Sequence, residues 1–498
     1  MQNNIIWGIS AGGHDAAISK INKNGEILWA AHSERYSKIK NDDTLTRSFL
    51  LRALSDGGSG VRSALVWHEK PLLKRARELR AGQWRDVFSI GPRAILNNLG
   101  LSHTPLYTVS HHHSHAAGGY YTSGFDNAAI LVVDAIGEWD TTTAWQGSGN
   151  DLKKIAAASY PNSLGLFYTA ITQRCGFKPN EEEYIVMGLA AFGDPAKYKQ
   201  LIMDELITPL DTWPFYRCRI NMHRGLLLWQ ENIKDIANLA AAAQAVFTEI
   251  MLKISTWLKS TTSSNKLVLS GGCALNCVTN AAIAQQGIWD YIWIMPNPGD
   301  AGNSLGAALA YLKQHVEWKG PYLGHNIAGM YPTNALIHQL HKTGVVGVAN
   351  GRAEFGPRAL GNRSLLADPR IPNIQDRLNV VKQREAFRPF APVILEEYAD
   401  QYFEMTSYSH AYMQYTVKCR QPDRFPGIVH IDGTSRVQTV NVKQHMGLYQ
   451  TLRRWYSETG CPMLVNTSLN IKGQPIVNDE IDAAAFEKLY NIKVYTRS

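Results

Sequence analysis

The stretch His111-His112-His113-Ser114-His115 and the strand after it, Ala128-Ala129-Ile130-Leu131-Val132-Val133-Asp134, organise the rest of the chain. On a helix, His111 and His115 are four residues apart and present both imidazoles on one face, with Cβ atoms roughly 5–6 Å apart. That spacing allows the two rings to share one divalent metal, although imidazole alone does not choose between zinc, iron, copper and nickel. A solvated histidine run is the alternative interpretation.

Two carboxylates extend this candidate metal set. Asp134 ends a fully apolar strand and is followed by Gly137, Glu138 and Thr141. A carboxylate at the end of a strand, with a glycine and hydroxyls after it, commonly meets a phosphate or the metal that accompanies it. Far downstream, Asp300 lies in a Pro/Gly-rich turn and is a further possible ligand.

Strands that end in glycine-rich turns recur along the first 300 or so residues. Gly12-Gly13 follows the apolar run at Ile5–Ile9 and leads into His14-Asp15, and Gly271-Gly272 follows a second apolar run. Such turns bring backbone N–H groups close to phosphates. The repetition predicts a nucleotide held between two halves of a duplicated α/β domain, as in actin and sugar kinases, by analogy of fold. Taken alone, the first turn also fits an ordinary hairpin.

The composition bounds the class of protein. A chain of 498 residues predicts roughly two to four domains. It contains no apolar run of the ~18–20 residues that a membrane span needs, and its N-terminus lacks signal-peptide features. We therefore expect a protein of the cytoplasm, in a bacterium or a phage-infected cell, with no membrane partner. Six scattered cysteines without a CxxC pair predict reduced thiols rather than disulfides.

A net charge of +8 permits an anionic partner, and one segment is locally basic. Between residues 62 and 93 the cations and the interleaved aromatics are Lys70, Lys74, Arg75, Arg77, Arg80, Arg85, Arg93, Trp67, Trp84 and Phe88. The segment fits either a solvated helix face or a contact surface for a polyanion with rings available for stacking.

The types of motif change after a Gly/Pro/Asn-rich stretch at 321–335, which we interpret as a linker between a domain at 1–320 and a domain at 336–498. Arginine forks match phosphate and carboxylate oxygens. The second domain therefore predicts a pocket for a small, multiply charged anion, with scattered surface arginines as the alternative. The candidate residues are Arg358, Arg363, Lys382, Arg384, Arg388, Arg436 and Asn466.

Together these motifs resemble the O-carbamoyltransferases that tailor antibiotics and nodulation factors. The resemblance spans nearly the whole chain, and its most specific part is the block at Glu354–Arg370. The segments that carry it are Gly12–Asp15, His111–Ala117, Val133–Trp139, Met187–Ala190, Ser270–Asn276 and Glu354–Arg370.

The resemblance implies an α/β fold with two domains. The N-terminal one is expected to be a duplicated actin-like (ASKHA) domain, similar to the tRNA threonylcarbamoyl-transfer enzyme TsaD, with ATP and a metal in its cleft. The C-terminal one is expected to be an α+β domain similar to YrdC, which makes threonylcarbamoyl-adenylate in the same tRNA pathway.

The resemblance also implies a two-stage reaction. Carbamoyl phosphate is hydrolysed to carbamate in the C-terminal domain, and carbamate then attacks the α-phosphate of ATP to give carbamoyl-adenylate. An acceptor hydroxyl next takes the carbamoyl group and AMP leaves. The seven candidate residues of the C-terminal pocket would bind carbamoyl phosphate.

The N-terminal residues acquire roles from the same resemblance. His14 would act as general base, since a neutral imidazole accepts a hydroxyl proton near pH 7, with Asp15 beside it. His111, His115, Asp134 and Asp300 would bind Fe, Zn, Mn or Mg. The residues expected at the nucleotide are Gly12, Gly13, Gly137, Glu138, Thr141, Gly271, Gly272 and Asn276.

Two positions depart from the family pattern. Ile185 stands where members usually have a lysine, and Asn162 stands where they often have a histidine. A missing cation and a missing imidazole put acceptor or nucleotide contacts in question, whereas the metal set and the arginine pocket are intact.

The acceptor is the open question. The basic charge and residues 62–93 favour a hydroxyl on nucleic acid, and 5-hydroxymethylcytosine in phage-type DNA fits. A small antibiotic or sugar hydroxyl is the family's usual acceptor. Two other classes are an actin-like kinase, which would release ADP, and a non-catalytic nucleic-acid-binding protein on an enzyme scaffold.

Overall fold

The computed structural model describes residues 4–56, 58, 60–83 and 91–498. The chain forms two compact units. The first contains the chain up to Ser33 together with Asp43–Trp318, and the second contains Glu34–Asp42 and Lys319–Ser498. The second unit therefore includes a short segment from the N-terminal part of the chain, which the sequence pattern does not predict.

The strands of the described residues are β1 (Asn4–Ser10), β2 (Ala17–Asn22), β3 (Ile27–His32), β4 (Val61–Trp67), β5 (Leu106–Thr108), β6 (Asn127–Val133), β7 (Asp140–Ser148), β8 (Asp151–Ser159), β9 (Ile207–Pro209), β10 (Tyr216–Cys218), β11 (Lys266–Ser270), β12 (Tyr291–Ile294), β13 (Tyr322–Ile327), β14 (Val345–Ala349), β15 (Gly351–Glu354), β16 (Arg363–Ala367), β17 (Ala391–Leu395), β18 (Val417–Lys418), β19 (Thr434–Ser435), β20 (Gln438–Val440), β21 (Met463–Ser468) and β22 (Val494–Tyr495).

The α-helices of the same residues are α1 (Glu34–Ser37), α2 (Arg47–Asp56), α3 (Pro71–Ala81), α4 (Pro92–Asn98), α5 (His111–Ser123), α6 (Leu164–Arg174), α7 (Glu183–Leu189), α8 (Lys199–Glu205), α9 (Ile236–Thr261), α10 (Cys277–Gln285), α11 (Asn303–Leu312), α12 (Thr333–Thr343), α13 (Ile374–Lys382), α14 (Ala399–Tyr402), α15 (Met446–Thr459) and α16 (Glu480–Tyr490).

The two five-stranded sheets of the first unit have the same strand order and the same strand directions. The first sheet runs β3-β2-β1-β4-β5, with β2 antiparallel to both of its neighbours, β1 and β3, and with β4 and β5 parallel to β1. The second runs β8-β7-β6-β11-β12 with the corresponding directions. This repetition confirms the predicted duplication of an α/β unit.

The turns that carry the site motifs follow the central strands of the two sheets. Gly12–Asp15 lies beyond β1, Asp134 lies beyond the equivalent strand β6, and Gly271-Gly272 lies beyond β11. These central strands are apolar along almost their whole length and buried, as expected for strands covered on both faces. The sheets therefore fix the positions from which the candidate residues project.

The last helix of each repeat packs on the sheet of the other repeat. Helix α5 follows the first sheet but packs on β6 and β11, and α11 follows the second sheet but packs on β1, β2 and β4. The two helices also pack on each other, and a Cβ atom added to Gly306 would lie 1.9 Å from the carbonyl oxygen of Ser114. Only glycine fits there, because its partner is backbone that cannot move aside.

The second unit is built around a mixed six-stranded sheet in the order β20-β17-β21-β16-β14-β22. The pairs among β14, β16, β21 and β17 are antiparallel, whereas β20 and β22 each join an edge in parallel. Trp455 of α15 and Leu340 of α12 belong to the core that packs with this sheet. Helices packed on a mainly antiparallel sheet fit the α+β class that the resemblance implies for this domain.

The boundary between the units differs from the predicted linker. Within 321–335 the structure has strand β13, paired antiparallel with β15, and the start of α12. Pro321 directly precedes β13 and Pro332 directly precedes α12, and the whole stretch belongs to the second unit.

Among the described residues, no helix combines the length and the apolar character needed to cross a lipid bilayer. All six cysteines are free thiols, and five of them are buried.

Candidate active site

Four predicted ligands meet in one buried cluster of the first unit. His111 Nε2 and His115 Nε2 lie 3.1 and 3.0 Å from Asp134 Oδ2, and both lie 3.3 Å from Asp300 Oδ1. The two Nε2 atoms are 3.1 Å apart. His111, His115 and Asp134 are buried, and Asp300 is partly exposed.

The chemistry of these donors fits a divalent metal. Each Nε2 has one in-plane site, which holds either a proton or a lone pair, so it cannot satisfy several close polar neighbours at once. Asp300 Oδ1 makes no hydrogen bond to any described residue although it is buried. A cation among the four atoms would use both lone pairs and both carboxylates together. Two imidazoles favour iron or zinc over magnesium.

Backbone groups orient Asp134, one of the candidate ligands. Asp134 Oδ1 accepts hydrogen bonds from the N–H groups of Ala135, at 2.8 Å, and Gly272, at 3.3 Å, which leaves Oδ2 directed at the imidazoles. Gly271 has a φ of +88°, and a Cβ there would lie 2.2 Å from the Val133 carbonyl oxygen. The glycine turn after β11 therefore allows the ends of β6 and β11 to meet at Asp134.

Opposite charges set the protonation of the cluster. Burial by itself lowers the pKa of His111 and of His115, but the carboxylates of Asp134 and Asp300 outweigh burial and raise both pKa values. Burial acts to raise the pKa of Asp134 and of Asp300, and the imidazoles bring both below their ordinary values. A bound divalent ion would take the place of these protons.

His14 lies beside Asp15 in an arrangement that gives its ring a positive charge. His14 Nε2 lies 2.8 Å from the carbonyl oxygen of Asn180, which can only accept, and Nδ1 lies 3.0 Å from Asp15 Oδ2. Although burial lowers it, the pKa of His14 is raised to about 10 by the hydrogen bond and the charge of Asp15. The neutral imidazole predicted from the sequence is therefore not the form that this arrangement holds.

Three residues that were predicted to bind the nucleotide have side chains that form hydrogen bonds within the protein. Glu138 accepts the backbone N–H groups of Lys70 and His111, so it caps the histidine helix. Thr141 is buried and donates to the carbonyl oxygens of Ala158 and Asn162. Asn276 caps α10 by accepting the N–H of Thr279. These side chains support the site from within the protein.

The predicted glycines line the same turns. Gly12 donates its N–H to the carbonyl oxygen of Asp43, and its own carbonyl oxygen accepts Lys74 Nζ at 2.7 Å. Gly137 packs on the histidine helix, since a Cβ there would lie 3.0 Å from the Cβ of His111. Lys74, which the sequence assigns to the basic segment at 62–93, is therefore a cation at the Gly12 turn.

Two residues near the site were missed by sequence reasoning. Asn303 Nδ2 lies 2.9 Å from His115 Nε2. Its position three residues after Asp300, at the start of α11, is the signal that would have indicated it. Glu183 accepts the N–H of Asn180, whose carbonyl oxygen contacts His14, and no motif marks it.

Three of the predicted anion-binding cations lie together in the second unit. Lys382 is buried, and burial first, then the charges of Arg384 and Arg388, lower its pKa well below the ordinary value. Lys382 Nζ donates to Ser468 Oγ at 3.0 Å and to Asn470 Oδ1 at 2.8 Å. This concentration of positive charge fits the predicted pocket.

Arg363 and Asn466 differ from that expectation. The Arg363 guanidinium is fully buried and donates to five backbone carbonyl oxygens, which belong to His325, Asn350, Gly351, Asn362 and Asn478. Arg363 therefore ties backbone segments together, and a phosphate would have to displace these bonds.

Asn466 Nδ2 donates to the Ala359 carbonyl oxygen and to Gln438 Oε1, so this amide braces the loop before Arg363. Arg358 and Arg436 are half-buried.

The two departures from the family pattern are accommodated by packing and backbone bonds. Ile185 is fully buried in α7. Asn162 accepts the backbone N–H of Cys218 at 3.0 Å through Oδ1. Both side chains are therefore part of the framework of the first unit.

The basic segment at 62–93 offers fewer available groups than its sequence indicates. Trp67 is buried and cannot stack on a base, and Arg77 is buried and donates to Gln83. Arg93 donates to two backbone carbonyl oxygens, and the Arg80 guanidinium lies 5.7 Å from the centre of the Trp139 ring. Trp84, Arg85 and Phe88 lie outside the described residues.

A duplicated α/β unit with a buried two-histidine, two-carboxylate cluster defines an enzyme with a candidate metal centre, and sequence comparison gives its family. Residues 95–309 match the family described as carbamoyltransferase N-terminus, and residues 337–496 match carbamoyltransferase C-terminus.

Similar proteins agree over nearly the full chain. Protein sll1178 of Synechocystis sp. is 33% identical over 96% of this chain and 93% of its own length. Nodulation protein NolNO of Sinorhizobium fredii is 31% identical over 94% of this chain and 76% of that protein. The chain belongs to the carbamoyltransferase family and is an enzyme of that class, which confirms the predicted resemblance.

Among solved structures, full-length HypF in its phosphate- and nucleotide-bound form aligns with 63% of this chain and 56% of that one, at 13% identity and a TM-score of 0.37. A likeness this weak carries no argument about the site.

Proposed function

We propose that the chain is an ATP-dependent O-carbamoyltransferase that works in two stages. The observation that carries this proposal is the cluster of His111, His115, Asp134 and Asp300 at the turns of a duplicated α/β unit, in a member of the carbamoyltransferase family. The repeated sheet topology supports an actin-like, TsaD-like assignment of the first unit. The mixed six-stranded sheet with packed helices supports a YrdC-like assignment of the second.

The first stage uses carbamoyl phosphate in the second unit. Lys382, Arg384 and Arg388 provide the positive charge that holds the phosphate oxygens. Water displaces phosphate from the carbamoyl carbon, which gives carbamate and inorganic phosphate. A carbamate oxygen then attacks the α-phosphorus of ATP, the bond to the bridging oxygen breaks, and pyrophosphate leaves with carbamoyl-adenylate as the product.

The second stage takes place in the first unit. His111, His115, Asp134 and Asp300 would hold the divalent metal, which when bound neutralises nucleotide phosphate charge. The acceptor hydroxyl oxygen forms a bond to the carbamoyl carbon, the bond from that carbon to the AMP phosphate oxygen breaks, and the hydroxyl proton goes to His14. His14 first has to release one of its two protons, because both ring nitrogens face acceptors.

The acceptor is a hydroxyl, and two sources are proposed. The net charge of +8 supports 5-hydroxymethylcytosine in DNA. The contacts of the basic segment favour a small antibiotic or sugar hydroxyl instead, because Arg77 and Arg93 already donate to protein oxygens. An activity on DNA should fall steeply with salt, whereas an activity on a neutral small acceptor should not.

The proposal is tested by incubating the purified protein with ATP, carbamoyl phosphate and a divalent metal. Parallel reactions contain hydroxymethylated duplex DNA or a panel of small hydroxyl compounds. AMP together with a mass gain of one carbamoyl group is expected on one acceptor class. ADP as product would overturn the proposal in favour of an actin-like kinase.

Two variants separate the stages. Asp300→Asn is expected to abolish transfer to the acceptor. Lys382→Met is expected to abolish the release of phosphate from carbamoyl phosphate, which precedes ATP use. An Asp300→Asn enzyme that still modifies the acceptor at the wild-type rate would contradict the assignment of the transfer site.

A further inference from the structure

Asn303 has a buried amide side chain that points at the cluster of His111, His115, Asp134 and Asp300. It is the first residue of α11 and has 0% of its surface exposed. Its Nδ2 lies 2.9 Å from His115 Nε2 and 3.5 Å from His111 Nε2. Its Oδ1 is buried and makes no hydrogen bond to a described residue. An unsatisfied buried carbonyl costs about 1–3 kcal/mol.

The amide nitrogen is the wrong atom for this position. If the two Nε2 atoms carry protons, they donate to the carboxylates and offer Asn303 Nδ2 no lone pair. If their lone pairs are directed at a metal, Nδ2 again has no acceptor. A half-turn about the Cβ–Cγ bond exchanges the two amide atoms and places Oδ1, an acceptor and a metal ligand, at the cluster.

We propose that Asn303 Oδ1 is a fifth ligand of the divalent metal that His111, His115, Asp134 and Asp300 would hold. This inference rests on the metal site of the proposed function. Together the five residues supply two nitrogen and three oxygen donors, which leaves one position of a six-coordinate ion for a substrate oxygen. Such a set favours ions that take five or six ligands over tetrahedral zinc.

The segment that carries Asn303 is fixed in place. The turn Asp300–Gly302 continues directly into α11, so Asp300 and Asn303 are neighbours on one face. Gly302 packs closely against the preceding loop, because a Cβ there would lie 1.9 Å from the Asn297 carbonyl oxygen. On the other side, Ser304 Oγ lies 2.7 Å from Ser19 Oγ of β2. A backbone held rigidly in this way suits a residue that binds a metal.

The test uses the full-length protein loaded with Co²⁺, whose affinity is measured by competition with a chelator and whose coordination is read from its visible absorption. Asn303→Ala removes the amide, and Asn303→Asp keeps an oxygen donor. Asn297→Ala is the matched control, because Asn297 Nδ2 lies at the same 2.9 Å from an imidazole, that of His32, and Asn297 is also buried. Thermal unfolding shows that each variant is folded.

We expect Asn303→Ala to weaken cobalt binding roughly 10–100-fold, with the stronger absorption of a lower coordination number. Asn303→Asp should bind at least as tightly as wild type, and Asn297→Ala should match wild type in both readouts. Equal losses in Asn303→Ala and Asn297→Ala, or no change in Asn303→Ala, would overturn the ligand assignment while leaving the carbamoyl-transfer proposal standing. Wild-type protein that binds no cobalt, zinc, iron or manganese would remove the metal site itself.

Discussion

The carboxylate of Asp15 controls the protonation of His14. Its ring donates to the Asn180 carbonyl oxygen and faces Asp15 Oδ2, and its pKa is raised to about 10. The base form of His14 therefore becomes more abundant as pH rises from 7 toward 10, and transfer to the acceptor should rise with it.

Asp15→Asn should move that pH profile. Loss of the hydrogen bond and of the negative charge lowers the pKa of His14, so half-maximal transfer should shift to lower pH by about one to three units. The measurement is kcat/KM for the acceptor against pH. His14→Asn is the companion variant, which should lose transfer about 10²–10⁴-fold yet keep carbamoyl-phosphate-dependent exchange of pyrophosphate into ATP. A profile that does not move with Asp15→Asn would rule out His14 as the base.

Lys382 should take up a proton when carbamoyl phosphate binds. Its pKa is lowered by burial and by the neighbouring arginines, and an anion beside it reverses that effect. Calorimetry in buffers of different ionisation enthalpy, at a pH between the lowered pKa and the ordinary value of 10.5, should show uptake of up to one proton.

Lys382→Met should abolish that uptake. Lys472→Met is the control, because Lys472 pairs with Glu385 closer to the surface. Uptake that survives in Lys382→Met would assign the proton to another group.

At this scale the sequence predicts which residues form the cluster but not which residues support it. Spacing on a helix and positions at strand ends bring His111, His115, Asp134 and Asp300 together. Arg363 was assigned to the anion because arginine suits phosphate, but residue type does not reveal that five carbonyl oxygens already surround it.

At the scale of elements, the crossing of α5 and α11 couples the candidate metal ligands to the fold. Helix α5 begins with His111, and α11 begins three residues after Asp300. The two helices approach closely at Gly306, where any side chain meets the Ser114 carbonyl oxygen. Ser114 lies between His111 and His115 on α5, so a change in the helix separation displaces both imidazoles.

Gly306→Ala should therefore lower both stability and metal affinity. The added methyl group has to push two backbones apart, which costs about 1–3 kcal/mol or more in the free energy of unfolding. Urea unfolding and cobalt affinity are the measurements. Gly188→Ala in α7 is the matched control, because a Cβ there meets nothing within 4 Å and alanine favours a helix by about 1 kcal/mol. Similar behaviour of the two variants would show that the crossing tolerates a side chain.

The repeated order of strand, glycine turn and helix is readable in the sequence, and it predicts the duplication that the sheets show. The exchange of helices between the repeats is not readable. A periodic pattern shows which face of a helix is apolar. It does not show which of two similar sheets that face packs on.

At the scale of the whole molecule, Glu34–Asp42 joins a unit whose remaining residues begin at Lys319. Arg35 is buried and donates to the Gly356 carbonyl oxygen, 321 positions away in sequence. Lys38 pairs with Asp482. A contact over such a separation leaves no local pattern, so sequence reasoning placed this segment in the first domain.

Arg35→Ala should destabilise the second unit selectively. Removal of a large buried side chain and of its hydrogen bond should cost roughly 2–4 kcal/mol. Hydrogen exchange measured by mass spectrometry should speed up in β14, β16 and β21. Lys38→Ala removes a more exposed ion pair and should cost at most about 1 kcal/mol. Unchanged exchange in Arg35→Ala would show that the segment rests on the unit without stabilising it.

The exchange of helices between the repeats also delays the packing of the first sheet during synthesis. The first sheet is complete at Thr108, but α11, which packs on it, begins only at Asn303. At about 5–20 residues per second, a ribosome needs on the order of 10–40 seconds to make the roughly 200 residues in between. Throughout that interval, one face of the nascent sheet lacks its own cover. A chaperone that covers apolar strands would therefore protect the first sheet until α11 is made.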